Sequence, residues 1–155
     1  MRSWLTAALI ILAGVTDAAA QTCTPYPETF AQGFYRDAYA FYNEAPGEVA
    51  SLVAPALLKK LQDERACVEK SGRCHLAYDP WLGSADGAIG APVMFRRQSS
   101  DGRHALVEMS YPLKNDSAAT RTVQLKLLRT PEGGCWQLED FVTPSGQSLT
   151  ALLGS

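Results

Sequence analysis

Between residues 93 and 142 the chain holds four short runs that read as strands, and no fold without an antiparallel sheet accommodates them. In the last, Cys135 to Val142, the residues alternate, with Trp136, Leu138, Asp140 and Val142 on one side and Cys135, Gln137, Glu139 and Phe141 on the other. That is the period of a half-buried strand. His104 to Tyr111 sets Ala105, Val107, Met109 and Tyr111 against His104, Leu106, Glu108 and Ser110; Arg121 to Arg129 turns Val123, Leu125 and Leu127 inward; Val93 to Arg97 is the first run. Ser99 to Arg103, Lys114 to Ala118 and Pro131 to Gly134 carry turn residues, and links this short make the runs an antiparallel meander.

A sheet with one apolar face needs a cover, and the residues before it supply one. From Pro27 to Tyr42, Phe30, Phe34, Ala38, Phe41 and Tyr42 form a helical stripe, with Pro27 at the first helical position and a break at Asn43 to Gly47. Glu48 to Ala54 reads as a short helical turn. Pro55 opens a second helix with Leu57, Leu58, Leu61 and Val68 inward, stopped by Gly72. The mixed charges from Lys59 to Lys70 read as its solvated face. Helices followed by linked strands give an α+β domain, N-terminal helices on a curved sheet of about four strands.

Residues 1–20 have the pattern of an export signal: a positive Arg2, an apolar run from Leu5 to Val15 and a small-residue cleavage site at Ala18-Ala19-Ala20. The apolar run falls well short of the ~20 residues a spanning helix needs. The expectation is therefore cleavage near Ala20 and release to a periplasmic or secreted location as one domain, 21–155. With 14 basic and 16 acidic residues and no basic run, nothing favours nucleic acid or an anionic membrane surface as a partner.

Export would place Cys23, Cys67, Cys74 and Cys135 in an oxidising compartment, where four cysteines favour two disulfides. Cys67 with Cys74 closes a short loop at the end of the second helix, leaving Cys23 to Cys135. Zinc on Cys74 and His75 is the alternative, but Cys-x6-Cys-His is not a familiar ligand spacing, so no metal and no cofactor are expected.

Tyr78-Asp79-Pro80-Trp81-Leu82-Gly83 places large aromatics in a loop, where they either serve a ligand or plug one end of the core. Tyr35 and Tyr39, four apart on adjoining faces of the first helix, read either as hydroxyls at the core margin or as ligand contacts. Tyr35, Tyr39, Tyr78, Asp79, Trp81 and Asp140 are the candidate ligand-binding residues. There is no nucleophile elbow, phosphate loop or Ser/His/Asp grouping, and His104 in a strand reads as structural or surface.

Phe34-Tyr35 to Phe41-Tyr42, Leu52-Val53-Ala54-Pro55 to Leu61, Asp79-Pro80-Trp81 with Asp86, and Trp136-Gln137-Leu138-Glu139-Asp140 followed by Gly146 and Ser148-Leu149 together resemble the bacterial exported family called domain of unknown function 3828. The likeness covers most of residues 28 to 153. It implies the cone-shaped fold of nuclear transport factor 2 and ketosteroid isomerase, with a pocket between helices and sheet. No catalytic signature comes with it.

The expected function is a non-enzymatic binding module that takes a small apolar ligand or an envelope protein partner in that cleft. A pocket enzyme of isomerase or dehydratase type, with Asp140 or Asp79 as base and a tyrosine as donor, is the first alternative. An immunity-type inhibitor of a secreted toxin is the second. Oligomeric state is left open.

Overall fold

The computed structural model describes residues 23–131 and 134–154. The expected export signal and its cleavage site lie outside them. The order is α1 (Pro27–Asp37), α2 (Pro46–Val49), α3 (Pro55–Ser71), β1 (Met94–Ser100), β2 (His104–Leu113), β3 (Asp116–Arg129), β4 (Trp136–Val142) and α4 (Leu149–Leu152). The strands form one antiparallel sheet in the order β1-β2-β3-β4, the meander that the short turns require. The architecture is α+β, and no described helix is long and apolar enough to cross a membrane.

One face of the sheet carries the core. Val107, Met109 and Tyr111 of β2, Val123, Leu125 and Leu127 of β3, and Trp136, Leu138 and Phe141 of β4 are all buried against Ala31 and Phe34 of α1, Phe41, Val53, and Leu57 and Leu61 of α3. Both disulfides join the pairs expected, Cys23 to Cys135 and Cys67 to Cys74.

Four local readings need correction. First, α1 stops at Asp37 rather than running to Tyr42. The carbonyl of Tyr39 accepts the indole N–H of Trp81 at 2.8 Å, while the N–H of Asn43, its helical partner, goes to Ala40 at 2.7 Å. The break comes before Tyr39, at Ala38 (φ -130°, ψ 35°), and the chain beyond it tightens into turns, with the Phe41 N–H on the Ala38 carbonyl, although Phe41 stays buried.

Second, Glu48 to Ala54 is not one helical turn. After α2 the backbone extends beside β4, where Leu138 donates to the Leu52 carbonyl and Ala54 donates to the Leu138 carbonyl, both at 2.8 Å. The segment satisfies a sheet edge that would otherwise expose unpaired groups.

Third, β4 does not alternate along its whole length. Leu138 pairs with Leu127, but Asp140 pairs with Lys126 and Phe141 with Leu125, so the register slips and Glu139 is the extra residue. This β-bulge reverses the phase. Phe141 joins Trp136 and Leu138 in the core, and Asp140 faces the opposite side of the sheet.

Fourth, the α3 stripe is Leu57, Leu61 and Glu64, all buried, whereas Val68 is exposed. Glu64 is the exception to the solvated charge run, whose other members include the exposed pairs Lys59–Asp63 and Arg65–Glu69.

Candidate functional site

Four of the six expected ligand-binding residues, Tyr35, Tyr39, Asp79 and Trp81, come together. Asp79 fixes the loop by accepting the Trp81 N–H at 2.9 Å through Oδ1 and the Tyr39 hydroxyl at 2.6 Å through Oδ2. Gly83 closes the turn with a positive φ of 66°; its N–H reaches the Asp79 carbonyl at 2.8 Å, and a side chain there would press on Pro144. The loop thereby drives Trp81 inward until it is fully buried. Tyr39 stacks on its indole at 5.5 Å, and Tyr35, Phe41 and Phe141 meet it edge-on at 5.3, 6.1 and 4.8 Å. Tyr111 donates its hydroxyl to the Trp81 carbonyl. Trp81 is the plug of this end of the core, and its N–H has a partner as a buried indole requires.

Burial, then the hydrogen bond to Asp79 and the charge of that carboxylate, raise the Tyr39 hydroxyl well above the ordinary tyrosine value. Burial first and Asp79 second push Tyr42 up to about 12. These phenols stay protonated at physiological pH and act as donors, and both carboxylate oxygens of Asp79 are already engaged.

Tyr78 and Asp140 lie elsewhere. Tyr78 donates to Gln147 Oε1 at 3.1 Å in the link between β4 and α4. Asp140, turned out by the bulge, is covered by the chain that follows: Ser148 Oγ donates to Oδ2 at 2.7 Å, the Thr150 N–H to Oδ1 at 3.0 Å, and Lys126 Nζ lies 3.3 Å from Oδ2. Burial pushes this carboxyl up, but the bonds from Ser148, the Thr150 and Phe141 N–H groups and Lys126 together outweigh it and hold the pKa below the ordinary value. Asp140 anchors α4 alongside the edge of β4, with Leu149 and Leu153 packed into the core.

An apolar cleft lies apart from these residues, toward the start of α1. This cleft of about 520 Å3 opens between α1, the extended segment beside β4 and the start of β4, lined by Phe30, Leu52, Trp136 and the Cys23–Cys135 disulfide, with Ser51 and Thr130 among its polar groups. Trp136 is held by its indole N–H on the Pro25 carbonyl at 3.1 Å and by the Arg129 guanidinium 5.0 Å above its ring. The sequence reading put Phe30 and Trp136 in the core and Leu52 in a helical turn. The signal that could have found the cleft is the disulfide itself, which ties the start of the described chain to the start of β4 and leaves a gap beside the tie.

Among the described residues, Glu64, Cys74 and His75 bring metal-type donor atoms within 4.8 Å of one another, with Cys74 bonded to Cys67.

In comparisons with known proteins, no family model matches the chain. Nor does any curated protein match it significantly.

Proposed function

We propose that this chain is an exported, non-enzymatic binding module that holds a small apolar ligand in the cleft between Phe30, Leu52 and Trp136. The observation that carries the reading is the cleft: about 520 Å3, walled by aromatic and aliphatic side chains and a disulfide. That size and lining suit a small-molecule site, where a few rim polar groups orient an apolar body. Two disulfides fit an oxidising compartment, in line with the export pattern of residues 1–20. The α+β fold agrees with the resemblance to the domain of unknown function 3828 family and its nuclear transport factor 2-like relatives. Against turnover stand the two acids an isomerase would use, Asp79 and Asp140, whose oxygens already accept hydrogen bonds from the fold. A general base needs a carboxylate free to reach the proton it takes.

The test is binding of dansyl amide, a small apolar fluorophore excited directly. Saturable binding to the wild-type chain is expected, and Leu52→Trp, which fills the cleft, should weaken it at least about tenfold, a loss of ~1.4 kcal/mol, with thermal stability unchanged. A folded Leu52→Trp protein that binds as tightly as the wild type would rule the site out.

A further inference from the structure

The end of α3 holds a group of side chains that the apolar cleft does not use. Glu64 and Cys67 are three residues apart on α3 and so share a face. Gly72, at φ 77°, ends the helix with its N–H on the Val68 carbonyl at 2.7 Å, and the chain turns back over that face. Cys74 then meets Cys67, and His75 Nδ1 comes to 2.8 Å from Glu64 Oε2 and 3.4 Å from Cys74 Sγ. The Leu76 N–H donates to Glu64 Oε1 at 2.8 Å. Glu64 is only 5% exposed, while the His75 side chain is 46% exposed. Besides the Leu76 and His75 N–H groups, this buried carboxylate faces a half-exposed imidazole, which sets an oxygen and a nitrogen donor side by side at the margin of solvent. Glu64 also lines a cleft of about 250 Å3 with Tyr42, Val68 and Leu76.

The donors are of the kinds that bind zinc: two sulfurs, an imidazole and a carboxylate. While the disulfide is closed its sulfurs are poor ligands, because the thiolate is the form that binds metal. We propose that Cys67–Cys74 is the gate of a metal site: a dithiol opens it, and Cys67, Cys74, His75 and Glu64 then hold one thiophilic divalent cation such as Zn2+. In the opening step the dithiol gives up two electrons and two protons and becomes a disulfide, and Cys67 and Cys74 become thiols. On binding, the two thiols release two protons to water and the imidazole binds neutral. The donor atoms of Glu64, Cys74 and His75 lie within 4.8 Å of one another. Tetrahedral coordination, with metal–sulfur bonds of ~2.3 Å and metal–nitrogen and metal–oxygen bonds of ~2.0 Å, requires them to draw in by roughly 1 Å. Rotation about side-chain bonds supplies that.

The probe is Co2+, whose thiolate charge-transfer and tetrahedral ligand-field bands report both the sulfurs and the geometry. The reduced full chain should bind one equivalent with these bands, and the oxidised chain should show none. Cys67→Ser/Cys74→Ser should abolish them, Cys23→Ser/Cys135→Ser should keep them, and Glu64→Gln or His75→Ala should weaken affinity about tenfold or more. If reduction loosens the fold, Zn2+ should restore the circular dichroism, since site formation and folding are coupled. Bands that persist in Cys67→Ser/Cys74→Ser, or a reduced chain that neither shows bands nor refolds with metal, would overturn the proposal.

Discussion

Asp140 and Glu64 are carboxylates inside a small domain, and both titrate lower than a free side chain. For each, burial is the largest influence and raises the pKa, but the hydrogen bonds win: Ser148, the Thr150 and Phe141 N–H groups and Lys126 on Asp140, and the Leu76 N–H followed by His75 on Glu64. A carboxyl whose folded pKa lies below its unfolded value contributes stability that is present above the unfolded pKa and lost as pH falls through the folded one. Asp140→Asn should therefore cost about 1–3 kcal/mol near neutral pH, because it removes the charge and one of the two acceptor oxygens that the Ser148 hydroxyl and the Thr150 N–H use. It should also flatten the fall in stability between about pH 5 and pH 2. Urea denaturation at neutral and acid pH measures both, and a variant with wild-type stability and slope would show that this carboxylate does not anchor α4. Neither acid could be placed from the sequence. The role of Asp140 depends on a bulge, and that of Glu64 on a chain reversal past Gly72.

At the scale of elements, the strands and the longer helix were readable because their periods repeat over many residues and their limits are set by Pro55, Gly72 and Asp101-Gly102. The misreadings fall where one tertiary bond competes with a local one. Past the break of α1 at Ala38, Trp81 takes the Tyr39 carbonyl and holds the chain in turns; Leu138 takes both partners from Leu52–Ala54 and straightens what reads as a helical turn; the slip opposite Lys126 and Leu127 swaps Asp140 for Phe141 in the core. The loop at 78–83, open to two readings in the sequence, is decided toward a plug, since Trp81 sits among five aromatic rings and is wholly buried. Trp81→Ala should cost about 3–5 kcal/mol, the range for a large aromatic removed from a packed core. Thermal melting and near-ultraviolet circular dichroism test this. Retained stability would mean that the indole is not what fills this end of the core.

Across the whole molecule, the sheet leaves β4 little open edge, with the extended segment at Val53 and the return at Ser148 both bridged to it. The charged pair Arg96 and Arg97 marks the other edge strand, β1, a usual guard against edge-to-edge pairing. The disulfides act on different lengths of chain. Cys23–Cys135 spans 112 residues and Cys67–Cys74 spans 7, so the loop-entropy model gives losses of about 5 and about 2.5 kcal/mol when each pair is replaced by serine. Urea denaturation of the two double variants should rank them in that order. The reverse order would show that the short bridge holds more than its own loop.

The amino-acid sequence by itself determined the class of fold and the strand order, because periodicity and turn residues are local or nearly local properties, and it favoured, among three possible pairings, the one the cysteines adopt. Only the tertiary structure decided which face Asp140 takes, how deep Trp81 goes, where a cleft remains and that Glu64 stands beside Cys74 and His75. Those outcomes turn on single hydrogen bonds between residues far apart in the chain, and no repeating pattern records them.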